Sequence, residues 1–321
     1  MNEKSNKAQL LFVGGAPRSG TTLVQKMLNN HSLIYGGPEF DRLGDVVHLR
    51  NLLQYSNEKG RSKAYYSSSE LDYKIAQFIL ELLSKPAIAS DAGIISEKTP
   101  SNIFHLNQIL GIDKTAKAII VIRDPKGIVA SMKNVKKKAV SANELVPEFT
   151  KSVSNSISLI EKYWKEGMKA YLNYGDRVHL IMYEELITEP KKELEAICDF
   201  LNIEFENIMT SPGDSDFDRG NEKDNIWYSD KDHKRNIDRK SLDKWKVILS
   251  EKEIAKIDSS LSDLHKIWSR QFSDKNEEQL GVIFESPNKT REKIVSFLRN
   301  KEKLRGLLAR LVKDSYKSGN N

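Results

Sequence analysis

The sequence predicts an α/β fold of three layers, with helices on both faces of a central, mostly parallel sheet and a helical extension at the C-terminus. Short apolar runs of four to six residues alternate with stretches of helical periodicity as far as residue 182. The intervals between the runs are long enough for the crossover helices that parallel pairing requires. At 321 residues the chain can bury a core of this class without a second domain. The predicted strands are residues 10–13, 93–96, 117–122 and 178–182.

Helices are predicted between and after these strands. Residues 22–28 form a helix-compatible run that leaves the first strand through a glycine turn. The pattern of residues 142–172, which include SVSNSISLIEKYWKEGMKAYL, predicts one or two helices. Residues 188–201 predict another, with Glu189 and Pro190 in the first turn, where an acidic residue and proline favour helix initiation.

Two polar stretches without periodicity mark the remaining organisation. Residues 213–240 predict a long functional loop or a partly disordered segment, and residues 273–288 predict a linker. We therefore expect a main domain at residues 1–272, followed by a linker and a C-terminal helix at residues 273–321.

The C-terminal segment at residues 289–317 carries the excess positive charge of a chain whose formal net charge is +6. Ten Lys and Arg residues stand there against Glu292, Glu302 and Asp314. Apolar residues recur at helical spacing opposite the basic ones, which predicts a basic amphipathic helix. Such a helix either lies on an anionic membrane surface or packs on its own domain with a solvated basic face. The apolar positions are Ile294, Phe297, Leu298, Leu304, Leu308, Leu311 and Val312.

Composition and cysteine usage indicate a soluble globular protein. Hydrophobic residues make up 39% of the chain and charged residues 30%. Cys198 is the single cysteine, so it forms no internal disulfide, and its place in the apolar pattern LEAICDFL predicts a buried, inert thiol. The polar start MNEKSNKAQL offers no apolar signal region, and no run of about 18 apolar residues follows, so we expect a cytoplasmic location.

The stretch FVGGAPRSGTT at residues 12–22 has the strand, glycine turn and helix order of a phosphate-binding loop. The spacing from Gly15 to Gly20 fits the nucleotide-triphosphatase pattern G-x-x-x-x-G-K-[ST], but Thr21 stands where that pattern has lysine. Arg18 is the cation within the loop, and its planar guanidinium suits one terminal phosphate better than a polyphosphate chain. Backbone N–H groups and two hydroxyls at Gly20, Thr21 and Thr22 would complete the cradle.

A second motif, IIVIRDPKGIVASM, follows another predicted strand. Arg123 comes directly after the apolar run, and Ser131 lies eight positions later on the helix that Pro125 opens. An Arg at a strand end and a Ser two turns into the next helix could hold a second phosphate. Alone, Arg123 could equally be a surface residue in a salt bridge; together with the first loop, the motif predicts a ligand with two separate phosphates.

These two motifs resemble those of the sulfotransferases that use 3′-phosphoadenosine 5′-phosphosulfate (PAPS). GGAPRSGTTL is similar to the family's 5′-phosphosulfate loop and RDPKGIVASM to its 3′-phosphate motif. The similarity covers about residues 8–270 and is closest to the tyrosylprotein sulfotransferases and their bacterial relatives. It implies PAPS as cosubstrate, 3′,5′-adenosine bisphosphate as product, a hydroxyl-bearing acceptor and a fold like that of the P-loop enzymes.

The resemblance also implies roles for individual residues. Glu39, in YGGPEFDR, would be the general base, and Lys98, in SEKTP, would neutralise the charge that develops on the leaving phosphate. Both roles agree with the chemistry, because sulfuryl transfer needs an activated acceptor hydroxyl and relief of charge on the bridging oxygen. The implied cosubstrate residues are Arg18, Ser19, Gly20, Thr21 and Thr22 for the 5′-phosphosulfate, Arg123, Ser131 and Lys244 for the 3′-phosphate, Tyr183 for the adenine side and Ser229 near the sulfate.

No metal is expected, because fixed cations and N–H dipoles replace the Mg²⁺ of a triphosphatase, and the six histidines and Cys198 lack zinc-ligand spacing. Some sulfotransferases use a histidine base, which leaves His31 and His105 as alternatives to Glu39. Three lysines at residues 136–138 lack interleaved aromatic residues, so we expect no nucleic-acid partner.

The acceptor stays open at this point. The tyrosylprotein enzymes have the pattern E-E-T-R around the base, whereas this chain has PEFDR, in which Asp41 replaces a basic residue. A sugar, a lipid-linked hydroxyl and a protein tyrosine therefore remain candidates. The tyrosylprotein enzymes are also membrane-anchored and disulfide-bonded, features that this sequence lacks, which supports the expectation of a cytoplasmic, bacterial enzyme with a possible peripheral membrane contact through residues 289–317.

Two other classes of function compete with this interpretation. A nucleotide kinase or triphosphatase would use the same loop but would require Mg²⁺ and a triphosphate. A catalytically silent nucleotide-binding module would bind the bisphosphate and transfer nothing.

Overall fold

The computed structural model describes residues 8–214 and 236–268, and within these ranges the fold is a five-stranded parallel sheet with helices around it. The strand order β2-β3-β1-β4-β5 and the flanking helices confirm the predicted α/β class. The strands are β1 (Gln9–Gly15), β2 (Ile34–Gly36), β3 (Ile94–Lys98), β4 (Lys117–Ile122) and β5 (Val178–Met182). The three-residue β2 was not predicted, because an edge strand this short carries no periodicity of its own.

The core explains why the strands are apolar runs rather than alternating patterns. β1 pairs with β3 on one side and with β4 on the other, so it is the centre of the sheet. Its residues Leu11, Phe12 and Val13 are fully buried, as are five of the six residues of β4. Helices cover both faces of a parallel sheet. Successive side chains of a strand point to opposite faces, and because both faces are covered, all of them are buried.

The described ranges contain ten α-helices: α1 (Thr21–Asn29), α2 (Leu43–Glu58), α3 (Ser68–Ser90), α4 (Leu106–Ile112), α5 (Pro125–Ser141), α6 (Val153–Tyr174), α7 (Tyr183–Thr188), α8 (Pro190–Leu201), α9 (Trp245–Ile248) and α10 (Glu251–Trp268). The helix predicted at residues 22–28 is α1, and that at 188–201 is α8, which begins at Pro190. The described residues fall in two compact units, one ending at Ile257 and one beginning at Asp258. None of the described helices is both long and apolar enough to cross a membrane.

The helix prediction for residues 142–172 was wrong for its first part. Helix α5 ends at Ser141, and Asn143 adopts a left-handed conformation with φ 53°, which terminates a helix. Helix α6 begins only at Val153, after Ser152, whose side chain caps it by accepting a hydrogen bond from Asn155 N at 3.1 Å. The residues between the two helices form a loop and a single 3₁₀ turn.

Helices α2 and α3 form a helical hairpin between β2 and β3. A capping box starts α3: Ser67 Oγ accepts from Glu70 N, and Glu70 Oε2 accepts from Ser67 N at 2.7 Å. The hairpin is joined by the ion pair of Arg50 with Asp72. This insertion separates the loop that follows β2 from the strand end of β3, although the two lie side by side in the fold.

The parallel arrangement places four strand ends at one edge of the sheet. The predicted phosphate-binding loop follows β1, Lys98 ends β3, Arg123 follows β4, and Tyr183 follows β5. The strand order reverses beside β1, and crevices at such points are where ligands bind in open α/β sheets. The predicted linker and C-terminal helix at residues 273–321 and most of the 213–240 stretch lie outside the described residues, so the domain boundary remains a prediction.

Candidate functional site

The loop after β1 is shaped by two glycines with positive φ. A Cβ added to Gly15 (φ 156°) would lie 2.7 Å from Val121 O, and one added to Gly20 (φ 108°) would lie 2.4 Å from the ring of Tyr183. Either position therefore excludes a side chain. Ser19 is fully buried in this loop, and its Oγ has no hydrogen-bond partner among the described residues. A buried hydroxyl without a partner is rare and fits a ligand oxygen.

Side chains from the two sequence motifs meet at the sheet edge. Arg18 Nε donates to Ser131 Oγ at 3.0 Å, across 113 residues of sequence. Arg123 donates from one terminal nitrogen to Arg18 O at 3.0 Å. The Arg18 guanidinium thus lies against a hydroxyl two turns into α5, and the Arg123 guanidinium is tied to the backbone of Arg18, an arrangement suited to phosphate oxygens.

The ring of Tyr183 packs against the guanidinium group of Arg123. The guanidinium carbon of Arg123 lies 4.1 Å from the centroid of the Tyr183 ring, a cation–π contact. The Tyr183 hydroxyl lies 3.1 Å from Ser241 Oγ, and Arg123 also donates to Ser241 O at 3.4 Å. Tyr183 therefore connects the loop glycine Gly20, the cation and the segment before α9.

Two adjoining cavities, of about 180 Å³ and about 450 Å³, share Arg18, Arg123, Tyr183 and Ser241 in their walls. The smaller cavity reaches α1 through Thr21, Thr22, Leu23 and Lys26. The larger extends along α5 and α9 and includes Ser131, Lys137, Lys138 and Lys244. The structure thus brings the predicted Lys244 to the same cavity as Arg123 and Ser131.

The predicted catalytic pair is also formed. Lys98 Nζ donates to Glu39 Oε1, although 59 residues separate the two in sequence. The Lys98 side chain is 3% exposed and that of Glu39 is 35% exposed. A buried ammonium group requires a partner, and Glu39 supplies it while about a third of its side chain still faces solvent.

Three residues near the site were missed by the sequence analysis: Tyr163 and Lys26, which are buried, and Glu184, which is partly buried. Burial and the negative charge of Glu39 raise the pKa of the Tyr163 hydroxyl to about 12. Glu184 accepts a hydrogen bond from Asp124 N at 3.0 Å and so holds the turn that carries Arg123; burial raises its pKa. Lys26 is 5% exposed yet lines the smaller cavity. The sequence did contain a signal for Glu184, because it is a carboxylate directly after a predicted strand. No feature of the neighbouring sequence sets Tyr163 apart from other helical aromatic residues.

The alternative histidine bases have other surroundings. His31 is buried; its Nε2 lies 2.7 Å from Glu204 O and its Nδ1 accepts from Leu33 N at 3.0 Å, so both ring nitrogens serve the local fold. Burial lowers the pKa of His105 and disfavours its charged form.

Three predicted site residues do not line the two cavities. Ser229 lies outside the described residues, and Glu39 and Lys98 are not among the residues that line either cavity.

Comparison with known proteins gives consistent matches. Residues 11–207 match the family model described as the sulfotransferase family. Protein-tyrosine sulfotransferase 1 of Danio rerio is 28% identical over 202 residues, which cover 62% of this chain and 55% of that protein. A putative protein-tyrosine sulfotransferase of Caenorhabditis briggsae is 26% identical over 266 residues, covering 79% of this chain and 86% of that protein. The chain thus spans about half the length of the first relative.

Among solved structures, the sulfotransferase domain from the curacin biosynthetic pathway is similar, with a TM-score of 0.53 and 22% identity. The alignment covers 79% of this chain and 98% of that domain. At this identity the match supports the fold alone.

The prediction of a cytoplasmic location is wrong, whereas the membrane contact predicted for residues 289–317 lies outside the described residues and stays a prediction. The cytoplasmic prediction rested on a polar N-terminus and a single cysteine, whereas the curated relatives are animal protein-tyrosine sulfotransferases, the group that the sequence resemblance already described as membrane-anchored. These relatives equally leave the bacterial source without support.

Proposed function

The chain belongs to the sulfotransferase family, and from this premise we propose that it transfers the sulfuryl group of PAPS to a hydroxyl acceptor. The observation that carries the proposal is the meeting of Arg18, Arg123 and Ser131, which joins the two phosphate motifs in one cleft. A ligand with two separate phosphate groups matches this arrangement.

The residues present fit the cosubstrate. The buried Ser19 Oγ without a partner among the described residues, the glycine-shaped loop and the N-terminus of α1 would take the 5′-phosphosulfate together with Thr21 and Thr22. Arg123, Ser131 and Lys244 would take the 3′-phosphate. Because its guanidinium lies against Ser131, Arg18 would reach both groups. When bound, PAPS supplies the sulfuryl group that is transferred.

Glu39 would remove the acceptor proton, and Lys98 would stabilise the charge that develops on the leaving group. The partly exposed Glu39 carboxylate would accept the proton of the acceptor hydroxyl, and the Lys98 ammonium group would donate a hydrogen bond to the bridging oxygen on which charge develops. In the present structure each neutralises the other. The reaction therefore requires the pair to separate, with Glu39 turning to the acceptor and Lys98 to the leaving group.

The acceptor class is proposed as a protein tyrosine, a sugar or a lipid-linked hydroxyl. The names of the curated relatives support testing tyrosine first. A panel of ³⁵S-labelled transfer reactions would compare an acidic tyrosine peptide, an oligosaccharide and a lipid-linked alcohol. Labelled product with one acceptor identifies its class, and no labelled product with any of them contradicts the proposed activity.

The binding test is calorimetric titration with 3′,5′-adenosine bisphosphate without Mg²⁺, beside 5′-AMP and ATP with Mg²⁺. We expect a strong preference for the bisphosphate and at least about a tenfold loss of affinity in Arg123→Ala, because a charge-assisted hydrogen bond is removed. The exposed Arg61→Ala is the matched control and should bind like the wild type. Binding of ATP with Mg²⁺ but not of the bisphosphate would favour the kinase or triphosphatase alternative, which the comparisons do not support.

A further inference from the structure

Glu97 is a buried carboxylate in contact with the loop that carries Glu39. It is 3% exposed. Its Oε1 accepts hydrogen bonds from Phe40 N at 3.0 Å and from Thr99 Oγ1 at 2.6 Å, and its Oε2 accepts from Asn102 Nδ2. Burial raises the pKa of the Glu97 carboxyl, while these hydrogen bonds act in the opposite direction. Burying a carboxylate costs free energy unless its oxygens are hydrogen-bonded. The three hydrogen bonds offset this cost for Glu97.

The hydrogen bonds of Glu97 and Thr99 anchor two successive residues of the Glu39 loop. Phe40 N donates to Glu97, and Asp41 N donates to Thr99 Oγ1 at 3.3 Å. Asp41 has φ 54°, a left-handed conformation that a residue with a side chain rarely adopts without support from its surroundings. The backbone directly after Glu39 is therefore held by side chains from the end of β3 and the residue that follows it.

The same strand end also provides Lys98, whose Nζ pairs with the Glu39 carboxylate. Adjacent residues of β3 thus contact the loop in two ways: Lys98 contacts the side chain of Glu39, and Glu97 contacts the backbone one residue further on. Loop residues 37–41 lie in neither a helix nor a strand. The next residue, Arg42, already joins the hydrogen bonding of α2, because its carbonyl oxygen accepts from Val46 N at 3.3 Å.

We propose that Glu97 is a positioning residue, whose buried carboxylate fixes the loop after β2 so that the Glu39 carboxylate lies beside Lys98 and the acceptor site. This inference rests on the proposed function, in which Glu39 is the base. Glu97 itself does not touch substrate. A general base must be held within hydrogen-bond reach of the proton that it removes, so a looser loop lowers turnover while cosubstrate binding is kept.

A purely structural role is the competing explanation, because Asn102 also ties Glu97 to the 3₁₀ turn Pro100–Phe104. Four variants separate the two roles. Glu97→Ala removes the acceptor of the Phe40 N–H group, and Glu97→Gln keeps an oxygen acceptor there but removes the charge. Thr99→Val removes the second anchor, at Asp41. Asn102→Ala is the matched control, because it removes the contact to the turn and leaves both loop anchors in place.

The first readout is amide hydrogen exchange of residues 39–42, which is independent of the reaction. We expect exchange to be about tenfold faster in Glu97→Ala and several-fold faster in Thr99→Val, and within about threefold of the wild type in Glu97→Gln and Asn102→Ala. Unchanged exchange in Glu97→Ala would overturn the proposal, as would exchange in Glu97→Gln as fast as in the alanine variant.

The second readout is turnover with whichever acceptor of the panel gives product, together with bisphosphate affinity. We expect kcat to fall by about 10- to 100-fold in Glu97→Ala, with the Kd of 3′,5′-adenosine bisphosphate within about twofold, and to recover largely in Glu97→Gln. A parallel fall of bisphosphate affinity would point to general damage and overturn the positioning role. If the wild type transfers no sulfate to any acceptor, the proposed function fails, whereas the exchange measurement still decides whether Glu97 anchors the loop.

Discussion

Lys98 and Glu39 form one ion pair but differ sharply in exposure, and at the scale of single residues this difference agrees with the separate roles proposed for them. Lys98 is nearly completely buried at a strand end, whereas about a third of the Glu39 side chain faces solvent. In the proposed mechanism, the more exposed Glu39 would meet the acceptor hydroxyl from solution, and the buried Lys98 would act on the leaving group.

Replacing Glu39 with glutamine tests the role of the base. The amide keeps the shape and a hydrogen-bond acceptor for Lys98 but cannot take up the acceptor proton. We expect kcat to fall by at least about 100-fold in Glu39→Gln, because general-base catalysis contributes on that order. Bisphosphate affinity, measured by calorimetry, should stay within about twofold of the wild type. Unchanged turnover in this variant would remove Glu39 from the mechanism and return attention to other bases.

Tyr163 gives a prediction for the pH dependence of stability. Its pKa is about 12 in the folded protein, against about 10 in the unfolded chain, so the folded state holds the phenolic proton more tightly. Stability is then lost as the pH rises through the window from about 10 to about 12, by up to about 2 kcal/mol.

The measurement is urea unfolding of the wild type and of Tyr163→Phe at pH 8 and near pH 11. The phenylalanine variant lacks the titrating proton, so we expect its stability to fall less over this interval. Equal losses in the two proteins would show that Tyr163 titrates normally. The comparison with phenylalanine is needed because other tyrosines and lysines titrate in the same range.

At the scale of elements, two of the turns that follow parallel strands are each held by a carboxylate from a neighbouring element. Glu184 on α7 fixes the turn after β4 through Asp124 N, and the Asp124 side chain in turn caps α5 by accepting from Lys126 N at 2.8 Å. Glu97 on β3 fixes the loop after β2. Both are neighbours of predicted site residues, and both hold backbone rather than ligand.

The turn from β1 into α1 gives a test at this scale. In Gly20→Ala the new methyl group would lie 2.4 Å from the Tyr183 ring. The alanine would also have to adopt the positive φ of 108° that Gly20 has. The ring must move, and Arg123, which stacks on it, loses its support. We expect bisphosphate affinity to fall at least about tenfold by calorimetry.

The matched control is Gly93→Ala, before β3, where an added Cβ meets nothing within 4 Å. This variant should bind like the wild type. Equal affinity in Gly20→Ala and Gly93→Ala would show that close packing of Tyr183 against the loop is not required for nucleotide binding.

At the scale of the whole molecule, strand order decides which residues can cooperate. Because β1 lies between β3 and β4, the loop after β1 is flanked by Lys98 on one side and Arg123 on the other. The apolar runs predicted four of the five strands, since strands covered on both faces are visible as continuous hydrophobic segments. The edge strand β2 and the bounds of the α2–α3 hairpin were not predicted, because their limits depend on pairing and packing partners distant in sequence.

The sequence by itself determined the α/β class, the glycine loop after the first strand, the strand-end Arg123 with Ser131, and through them the sulfotransferase family. These are local signals, because a glycine turn or an apolar run is written in consecutive residues. Only the tertiary structure decided that Arg18 contacts Ser131, that Lys98 pairs with Glu39 and that Glu97 accepts a hydrogen bond from the loop that carries Glu39. Each of these contacts joins residues 57 to 113 positions apart, and folding of the sheet edge, rather than any periodicity, brings them together.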